Sequence, residues 1–476
     1  SSSSSSSSSS QFTCNCFQDD DDQGHSQSDR GSRYQMISEQ QALNIVIKQS
    51  LSTRRQREAS ISLTQSTGAL LLGRVLSQDI VALRDLPPFR ASMKDGYAIH
   101  GNLDLPVDQW PNINIVGSSY AGTSPLDDTL SALPLYHGVR IATGAPVPSW
   151  CNVVVMIERT TLVKQNDDGS EIIHLNESQK FVENTDIRPV GSDIAKQTQV
   201  LSKGSVLNPA EIGLLASLGH TQVQVYAQPT IVVVSTGNEL VDPSATSPSN
   251  LIFDSNRYSL LNALRQAAPG PHAWRIVDGG IIRDQQDDVE KTLLSLIKQH
   301  QADVVISSGG VSMGDKDLIK PFLEKHGNVH FGRVRLKPGK PLTFASLPAE
   351  NHTCLFFGTP GNPVSALVTT TLFALPSIRA LSHAPSYHTT RMRASIQGLS
   401  TPIILDPNRP EYQRARVQFD STQNQLVAQL ITTKQQSSRL LSVINANALL
   451  CIPQSHSAKK QLSNHDLCDF IALKQL

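Results

Sequence analysis

The sequence predicts a multidomain protein of mixed α/β and β class, in which a central parallel-sheet α/β domain is flanked by β-rich domains. In residues 229–383, apolar segments typical of buried strands alternate with helical patterns, which indicates a parallel sheet with right-handed crossovers. Residues 78–190 are rich in short Val and Ile strands separated by Pro and Gly. From residue 384 onward, short strand patterns with turn residues predict a small β domain.

The composition restricts the kind of protein. A chain of 476 residues suggests about three or four domains. Lys plus Arg and Asp plus Glu both number 41, so the net charge is zero, and we expect no nucleic-acid partner. Any anion site must therefore come from a local group of basic residues rather than from the net charge of the protein. Six cysteines are too few for a disulfide scaffold, and Cys14-Asn-Cys16 lacks the second Cys or His pair of a zinc site.

The N-terminal residues 1–35 have a composition typical of disorder, with ten serines followed by Asp19–Asp22. They are either a flexible tail or a linker from an upstream domain, and the sequence leaves both open. No apolar run approaches the roughly 18–20 residues of a membrane span, and no signal peptide is evident. We expect a cytoplasmic protein without membrane insertion.

Two helices are predicted outside the central domain. Residues 38–48 have a capping pattern followed by amphipathic spacing, and residues 208–219 have Pro near the start and Gly at the end. In the central domain, the predicted strands are 230–235, 272–277, 303–308, 329–336 and 354–357, and the predicted helices are 254–267, 284–300, 317–325 and 363–381.

The loops that follow the central strands carry the chemistry. Ligands of open α/β sheets bind beyond the carboxyl ends of the strands. The loops 235–239, 282–284 and 307–315 place glycine amides, hydroxyls and three carboxylates at that edge. This set fits a phosphate-bearing ligand with an Mg²⁺-type cation held by oxygen ligands.

Two further loops predict an anion site. Residues 335–344 place Lys337 and Lys340 on a turn stiffened by Pro and Gly, and residues 358–366 place Asn362 and Pro363 at the start of a long helix. Backbone N–H groups at a helix N-terminus, facing two ammonium groups, make a site for an oxyanion or a phosphate.

Each of these pieces has a simpler structural explanation. Asp284 could cap its helix, Glu239 could be a solvated loop charge, residues 307–315 could be a tight turn, and the lysines could lie on the surface. In the β-rich module, residues 89–98, 141–148 and 188–193 are equally well explained as turns or rigid linkers. Taken together, the pieces favour a site.

Seven motifs of the chain, in their order along the sequence, resemble those of the molybdopterin molybdenumtransferase family. This family includes bacterial MoeA-type proteins and the gephyrin E domain. The resemblance covers about residues 36–476, and Lys94 together with residues 188–191 is closer to the gephyrin-like branch. Thr359 departs from a more usual apolar residue. The motifs are residues 92–98, 143–148, 188–193, 235–240, 308–315, 337–341 and 360–365.

The resemblance implies an elongated, four-domain subunit in a homodimer whose active cleft draws on both chains. It also implies a reaction in which adenylylated molybdopterin and molybdate give molybdenum cofactor and AMP, assisted by Mg²⁺. The implied divisions are 1–35 as a tail or linker, 36–85 with 192–228 as a discontinuous dimerisation domain, 86–191 as an inserted β-rich domain, 229–383 as the α/β molybdopterin-binding domain, and 384–476 as a C-terminal β domain.

The resemblance also assigns roles to residues. Asp284 and Asp315 would hold the metal ion or position the scissile phosphoanhydride. Asp95, Asp193 and Glu239 would join them as catalytic residues of the same cleft. The residues expected around molybdate are Lys337, Lys340, Pro341, Ser365, Arg414 and Ser438. The other expected substrate-binding residues are Thr143, Gly144, Arg188, Ser308, Gly309, Gly310, Ser312, Pro360, Gly361, Asn362 and Pro363.

Two other functions stay open at this point. A gephyrin-like scaffold would bind receptor tails, with or without retained transferase activity. Alternatively, the α/β domain could adenylylate molybdopterin itself, as the family's partner domain does. In the transferase reading, an upstream molybdopterin adenylyltransferase domain or protein is an expected partner because it would make the substrate.

Overall fold

The computed structural model describes residues 34–122, 133–178, 180–246, 250–311 and 318–474. Its central unit contains a six-stranded sheet in which the first four strands are parallel and the last two are antiparallel. The predicted α/β domain between β-rich domains is confirmed, although its sheet is mixed. The order across the sheet is Arg275–Ile282, Thr230–Thr236, Val304–Ser308, His352–Thr359, Thr343–Ala349 and Asn328–Phe331.

Helices cover both faces of this sheet. Gln286–His300 and Ile319–His326 bury Leu293 and Phe322 against one face. The opposite face is covered by Asn256–Ala267, by the helical stretch Pro363–Leu381 and by the first helix, Glu39–Thr53. The sheet is thus buried on both sides, as expected for strands rich in Val and Ile.

The first helix belongs to the central core by its contacts. Ser38 and Gln41 form a reciprocal capping box at its start. Ala42 and Val46 are fully buried in the core that also contains strand residues of the central sheet. The sequence groups this helix with residues 36–85, and that division stays a prediction.

The stretch Pro363–Leu381 is helical throughout but changes geometry in its middle. A π-helical turn, Thr370–Ala374, separates the α-helices Pro363–Thr369 and Leu375–Leu381. Pro376 lacks an amide hydrogen and its ring would clash with a preceding carbonyl, and the wider turn accommodates both effects. Within the described residues, this is the one helix long and apolar enough to cross a membrane, and 83% of that window is buried inside the protein.

A second unit is built from residues before and after the inserted module. Strand Glu58–Ser62 pairs antiparallel with Gln222–Tyr226, and Ile80–Val81 pairs with Gln199–Leu201. Helix Pro209–Ser217 begins with a capping box between Asn208 and Glu211. The small core of this unit contains Leu63, Leu71, Leu76, Ile80, Leu207, Leu215, Val223 and Val225.

The inserted module contains a second six-stranded sheet. Its core includes the ring of Trp110, which contacts Tyr136 and Phe181 edge to face. A short ladder between Ala91–Ser92 and Ile187–Arg188 joins the start and end of the module. The strand order is Val153–Met156, Gly96–His100, His137–Ile141, Ile113–Ser119, Glu171–Leu175 and Thr160–Gln165.

The C-terminal unit is a closed five-stranded barrel, which leaves no edge among these strands. Two further short ladders of the described residues lie outside the larger sheets, Ile403–Ile404 with Gln461–Leu462 and Leu240–Val241 with Ile252–Phe253. The barrel order is Met392–Ile396, Gln425–Leu430, Glu411–Asp420, Ala448–Ile452 and Leu467–Ala472.

The sequence prediction missed one strand of the central sheet, Thr343–Ala349, which pairs antiparallel with both of its neighbours. The other main differences from the predicted elements concern strand ends. The strand predicted at 272–277 is Arg275–Ile282, because it continues through Gly279 and Gly280 with a register irregularity rather than ending there. The strand predicted at 329–336 is shorter, Asn328–Phe331.

Candidate functional site

A cavity of about 1250 Å³ opens between the central unit and the barrel. We call it the anion cavity. Its walls come from the loop after Leu336, from the loop that begins the helix at Pro363, and from residues 430–439. Seven residues predicted from the sequence line it. They are Lys337, Lys340, Pro341, Pro360, Asn362, Ser365 and Ser438.

The charges that line this cavity are unbalanced. Among the described lining residues, five side chains are basic and one, Glu411, is acidic. Arg409 pairs with Asp406 at 3.5 Å, and Lys337 pairs with Glu411. Because basic lining side chains still outnumber acidic ones, the charge of this wall is positive although the whole chain is neutral. The five basic residues are Lys337, Lys340, Arg409, Lys434 and Arg439.

Lys337 joins the loop to the barrel. Its amide donates to the Pro410 carbonyl at 3.0 Å, and its carbonyl accepts from the Tyr412 amide at 2.7 Å. Its ammonium nitrogen lies 3.0 Å from Oε2 of Glu411, whose side chain is 9% exposed. Lys337 therefore has a resident carboxylate partner in the absence of any ligand.

The first turn of the helix that starts at Pro363 borders the anion cavity. The Val364 amide donates to the Ser437 carbonyl at 3.1 Å, and Asn362 Nδ2 donates to Ser437 Oγ at 3.1 Å. Pro363 has no amide hydrogen, and the buried Ser365 lines the cavity from the first turn of the helix. The positive end of the helix and a hydroxyl thus face the same space as the lysines.

The carboxyl ends of the central strands form a second group, which we call the rim. The Asn238 amide donates to Asp284 Oδ2 at 3.3 Å, and the Asp284 amide donates to Asn238 Oδ1 at 3.0 Å. Arg283 also donates to the Asn238 carbonyl at 3.1 Å. These bonds fix the loops after two neighbouring strands to each other. The following helix has its N-cap at Gln285 rather than at Asp284.

The loop that follows strand Val304–Ser308, which we call the glycine loop, has a backbone conformation that requires glycine at two positions. Gly309 and Gly310 have φ angles of +92° and +68°. A Cβ on Gly309 would lie 2.6 Å from the Thr236 carbonyl oxygen, and one on Gly310 would lie 2.8 Å from Thr236 Oγ1. A Cβ on Gly361 would lie 3.7 Å from Gly309 Cα, so the two loops are neighbours. Ser312 and Asp315, both predicted for this loop, lie outside the described residues.

Asn256 is a rim residue that sequence reasoning missed. Its Nδ2 donates to Ser308 Oγ at 2.7 Å and to the Gly361 carbonyl at 2.8 Å, and so it connects two rim loops. Within the described residues, its Oδ1 is buried without a partner, as are Thr236 Oγ1 and Ser307 Oγ. Buried polar atoms without partners are costly and often indicate a ligand or ordered water. The sequence signal was a run of Asp, Ser and Asn at a helix start, which the prediction treated only as helix.

Glu239 folds back within its own loop. Its carboxylate oxygens would lie 2.6 Å and 2.8 Å from a Cβ on Gly237, so the carboxylate lies over that glycine at the end of strand Thr230–Thr236. It is therefore placed on the rim, as predicted from the sequence.

The inserted module brings its predicted residues together in two pairs. The Thr143 amide donates to Asp95 Oδ1 at 2.7 Å, beside Gly144, whose φ is +79°. Arg188 and Asp193 form an ion pair at 3.3 Å, with both side chains about half exposed. In the described chain, no hydrogen bond or ion pair of Asp95, Thr143, Arg188 or Asp193 reaches the central unit.

Arg414 is placed differently from the expectation that it surrounds molybdate. It is fully buried and lines a second, separate cavity. Its guanidinium donates to Ser442 Oγ and to the carbonyls of Tyr412 and Gln436. Burial lowers the pKa of Arg414 to about 10. Arg414 therefore supports the segment that forms one wall of the anion cavity.

The predicted metal pair is described only in part. Among the described residues, no group of three or more His, Cys, Asp or Glu side chains could hold a metal ion. Asp284 is described and Asp315 is not. Mg²⁺ in phosphate chemistry is commonly held by one or two protein carboxylates together with substrate phosphates. An oxygen-rich rim in which one carboxylate of the predicted pair is described is compatible with this arrangement.

Comparisons with known proteins match almost the whole described chain. Residues 37–219 match the MoeA N-terminal region (domain I and II), residues 232–380 match a probable molybdopterin binding domain, and residues 398–459 match the MoeA C-terminal region (domain IV).

Two relatives and one solved structure illustrate the similarity. Gephyrin of Dictyostelium discoideum is 36% identical over 461 residues, which cover 90% of this chain and 61% of that protein. Molybdopterin molybdenumtransferase of Haemophilus influenzae is 39% identical over 308 residues, 65% of this chain and 70% of that protein. The crystal structure of the molybdopterin biosynthesis MoeA protein from Pyrococcus horikosii covers 93% of this chain and 100% of its own, with a TM-score of 0.71 and 23% identity.

Proposed function

The chain belongs to the molybdopterin molybdenumtransferase family, and on this basis we propose that it inserts molybdenum into molybdopterin in the biosynthesis of molybdenum cofactor. The proposed substrates are adenylylated molybdopterin and molybdate, and the proposed products are molybdenum cofactor and AMP. The observation that carries the proposal is the anion cavity, with five basic and one acidic lining side chains beside a helix N-terminus.

Molybdate is a tetrahedral dianion whose oxygens only accept hydrogen bonds. Ammonium groups, hydroxyls and a helix N-terminus complement it in charge and in donor number. Lys340, Ser365 and Ser438 line the same cavity and come from three different segments. This convergence supports a site for one small, highly charged oxyanion.

The rim is proposed to hold the phosphates of the adenylylated substrate. The Gly309 amide donates to the Thr359 carbonyl at 3.1 Å and so fixes the loop. The Gly310 amide would donate to the phosphate that leaves with AMP, where negative charge develops. Thr236 Oγ1 and Ser307 Oγ, which lack partners in the described residues, supply further polar groups at this position. Asn256 would position the glycine loop relative to the loop at Gly361.

Mg²⁺ is proposed as the assisting cation, held by Asp284 and Asp315. The donor set on the rim consists of oxygen atoms, which suits a hard cation. When bound, Mg²⁺ would neutralise charge on the phosphates.

We propose a homodimer in which the inserted module of one subunit completes the cleft of the other. Asp95 and Arg188 belong to polar pairs on a surface whose contacts do not reach the rim of their own chain. A second copy could present these residues to the rim, and Glu239 would face them in the shared cleft.

AMP release from adenylylated molybdopterin by the full chain, with Mg²⁺ and with or without molybdate, tests the proposed reaction. We expect release that depends on molybdate and saturates with it. AMP release at a rate independent of molybdate would contradict the proposed function. So would the absence of AMP release from a folded protein supplied with its adenylylated substrate.

We propose no more than the following about partners and further roles. The chain spans 61% of the length of the Dictyostelium gephyrin, and we propose that an adenylyltransferase domain or protein supplies its substrate. A scaffold function would appear as stoichiometric binding of receptor-tail peptides without turnover. Consumption of ATP with molybdopterin alone would instead indicate adenylylation by this chain.

A further inference from the structure

A second cavity, of about 420 Å³, lies between the helices on one face of the central sheet and the barrel. We call it the mixed cavity. Its volume falls within the range of roughly 300–1,000 Å³ typical of small-molecule sites. Most of its wall is apolar. Representative apolar lining residues are Ala263, Val364, Leu367, Leu375, Leu449 and Ile471.

The polar groups in this wall are of one charge type. Arg379, Arg414 and Lys474 line the cavity, and no carboxylate is among its described lining residues. Arg414 is already satisfied by a hydroxyl and two carbonyls. The cavity therefore contains a positive potential that its own walls do not balance.

Arg379 is the exceptional member of this group. It extends from the last turns of the long helix and is only partly exposed. No described residue forms an ion pair or a side-chain hydrogen bond with it, and desolvation lowers the pKa of its guanidinium. The guanidinium borders the cavity without a described carboxylate partner, and an anion bound in the cavity could pair with it.

Thr389 provides a second polar group. Its Oγ1 is buried and has no hydrogen-bond partner in the described chain, and the residue lines the same cavity as Arg379. A buried hydroxyl without a partner is uncommon. The guanidinium and the hydroxyl can both donate to one oxyanion, while the apolar wall can cover a hydrocarbon body.

We propose that the mixed cavity is a binding site for a small amphipathic organic anion, an aromatic or aliphatic carboxylate, with Arg379 as its anchor and Thr389 as a second donor. Molybdate does not suit this cavity, because its four polar oxygens would face apolar side chains. The site is therefore separate from the anion cavity and does not depend on the proposed reaction.

Calorimetric titration of the full chain with 2-naphthoate tests the proposal, with 2-naphthalenemethanol as the uncharged analogue. We expect one saturable site for the carboxylate and much weaker binding of the alcohol. Arg379→Gln should weaken 2-naphthoate binding by at least about ten-fold, the scale of hydrogen bonds to a charged group, and Arg379→Lys should retain part of the affinity. Thr389→Val should weaken it less.

The matched control is Arg265→Gln, because Arg265 is an exposed arginine on the neighbouring helix and is not among the residues that line the cavity. It should bind like the unmodified protein, and all variants should have similar thermal unfolding. Equal binding of the alcohol and the carboxylate, an unchanged affinity in Arg379→Gln, displacement of 2-naphthoate by molybdate, or no binding at all would each overturn the proposal.

Discussion

The rim and the inserted module differ in how the fold holds their predicted functional residues. On the rim, loops from different strands bond to each other through Asn238 and Asn256, and the glycines fit against neighbouring backbone. In the inserted module, Asp95 and Arg188 belong to exposed pairs whose bonds stay within the module or its edges. The rim is thus preorganised in one chain, whereas the module presents its groups outward.

The largest difference in stability and in AMP release between the two regions should appear when one glycine of positive φ in each region is changed to alanine. Gly309→Ala places a Cβ 2.6 Å from the Thr236 carbonyl at a φ of +92°, and we expect a loss of at least about 2 kcal/mol in unfolding free energy and of AMP release by orders of magnitude. Gly144 has a similar φ of +79° but no atom within 4 Å of an added Cβ. Gly144→Ala should therefore cost only about 1 kcal/mol. Denaturant unfolding and AMP release measure both, and equal effects would contradict the comparison.

Removing the Asn256 side chain, which connects two rim loops, should have the next largest effect on AMP release. Asn256→Ala deletes donors to Ser308 and Gly361, and the resulting misplacement of the glycine loop should lower AMP release by about 100-fold. Asn262→Ala is the matched control, because that exposed residue on the same helix donates only to the Tyr258 carbonyl within its own helix. A normal rate in Asn256→Ala would exclude it as a positioning residue.

Lys340→Ala tests the anion cavity rather than the rim. We expect the molybdate concentration for half-maximal AMP release to rise by about ten-fold, with unchanged thermal unfolding. Lys196→Ala, an exposed lysine outside the cavity lining, serves as control. An unchanged molybdate response would remove Lys340 from the site.

Arg188→Ala should have only a small effect on stability, under about 1 kcal/mol, because its ion pair with Asp193 is about half exposed. If the module completes the partner's cleft, AMP release should nevertheless fall. Mixing Arg188→Ala with Asn256→Ala should then restore part of the activity, since one cleft of a mixed dimer carries neither change. No restoration on subunit exchange, with both variants dimeric, would contradict a shared cleft.

The sequence predicts the parallel central strands and the glycine loops well because each depends on local patterns, whereas the antiparallel strand Thr343–Ala349 was missed. Buried strands such as Thr230–Thr236 are continuous apolar runs, and positive φ angles at Gly309 and Gly310 follow from the residue type. Residues 312–317, which include Asp315, lie outside the described residues.

The contacts that the sequence did not predict join residues far apart in the chain. Glu411 pairs with Lys337 from a different unit, and Asn256 reaches Gly361 across 105 positions. Arg414 was expected to face a ligand, but it is fully buried behind the cavity wall. Periodicity indicates whether a residue is buried but does not identify its partner, so such pairs need the tertiary structure.

The ion pair between Lys337 and Glu411 makes the anion cavity resemble an ion exchanger. The Lys337 ammonium already has the Glu411 carboxylate beside it at 3.0 Å. An arriving oxyanion must therefore share Lys337 with that carboxylate or displace it. A dianion competes with a single carboxylate better than a monoanion does. The cavity should therefore discriminate by valence, and abundant monovalent anions such as chloride should occupy it poorly.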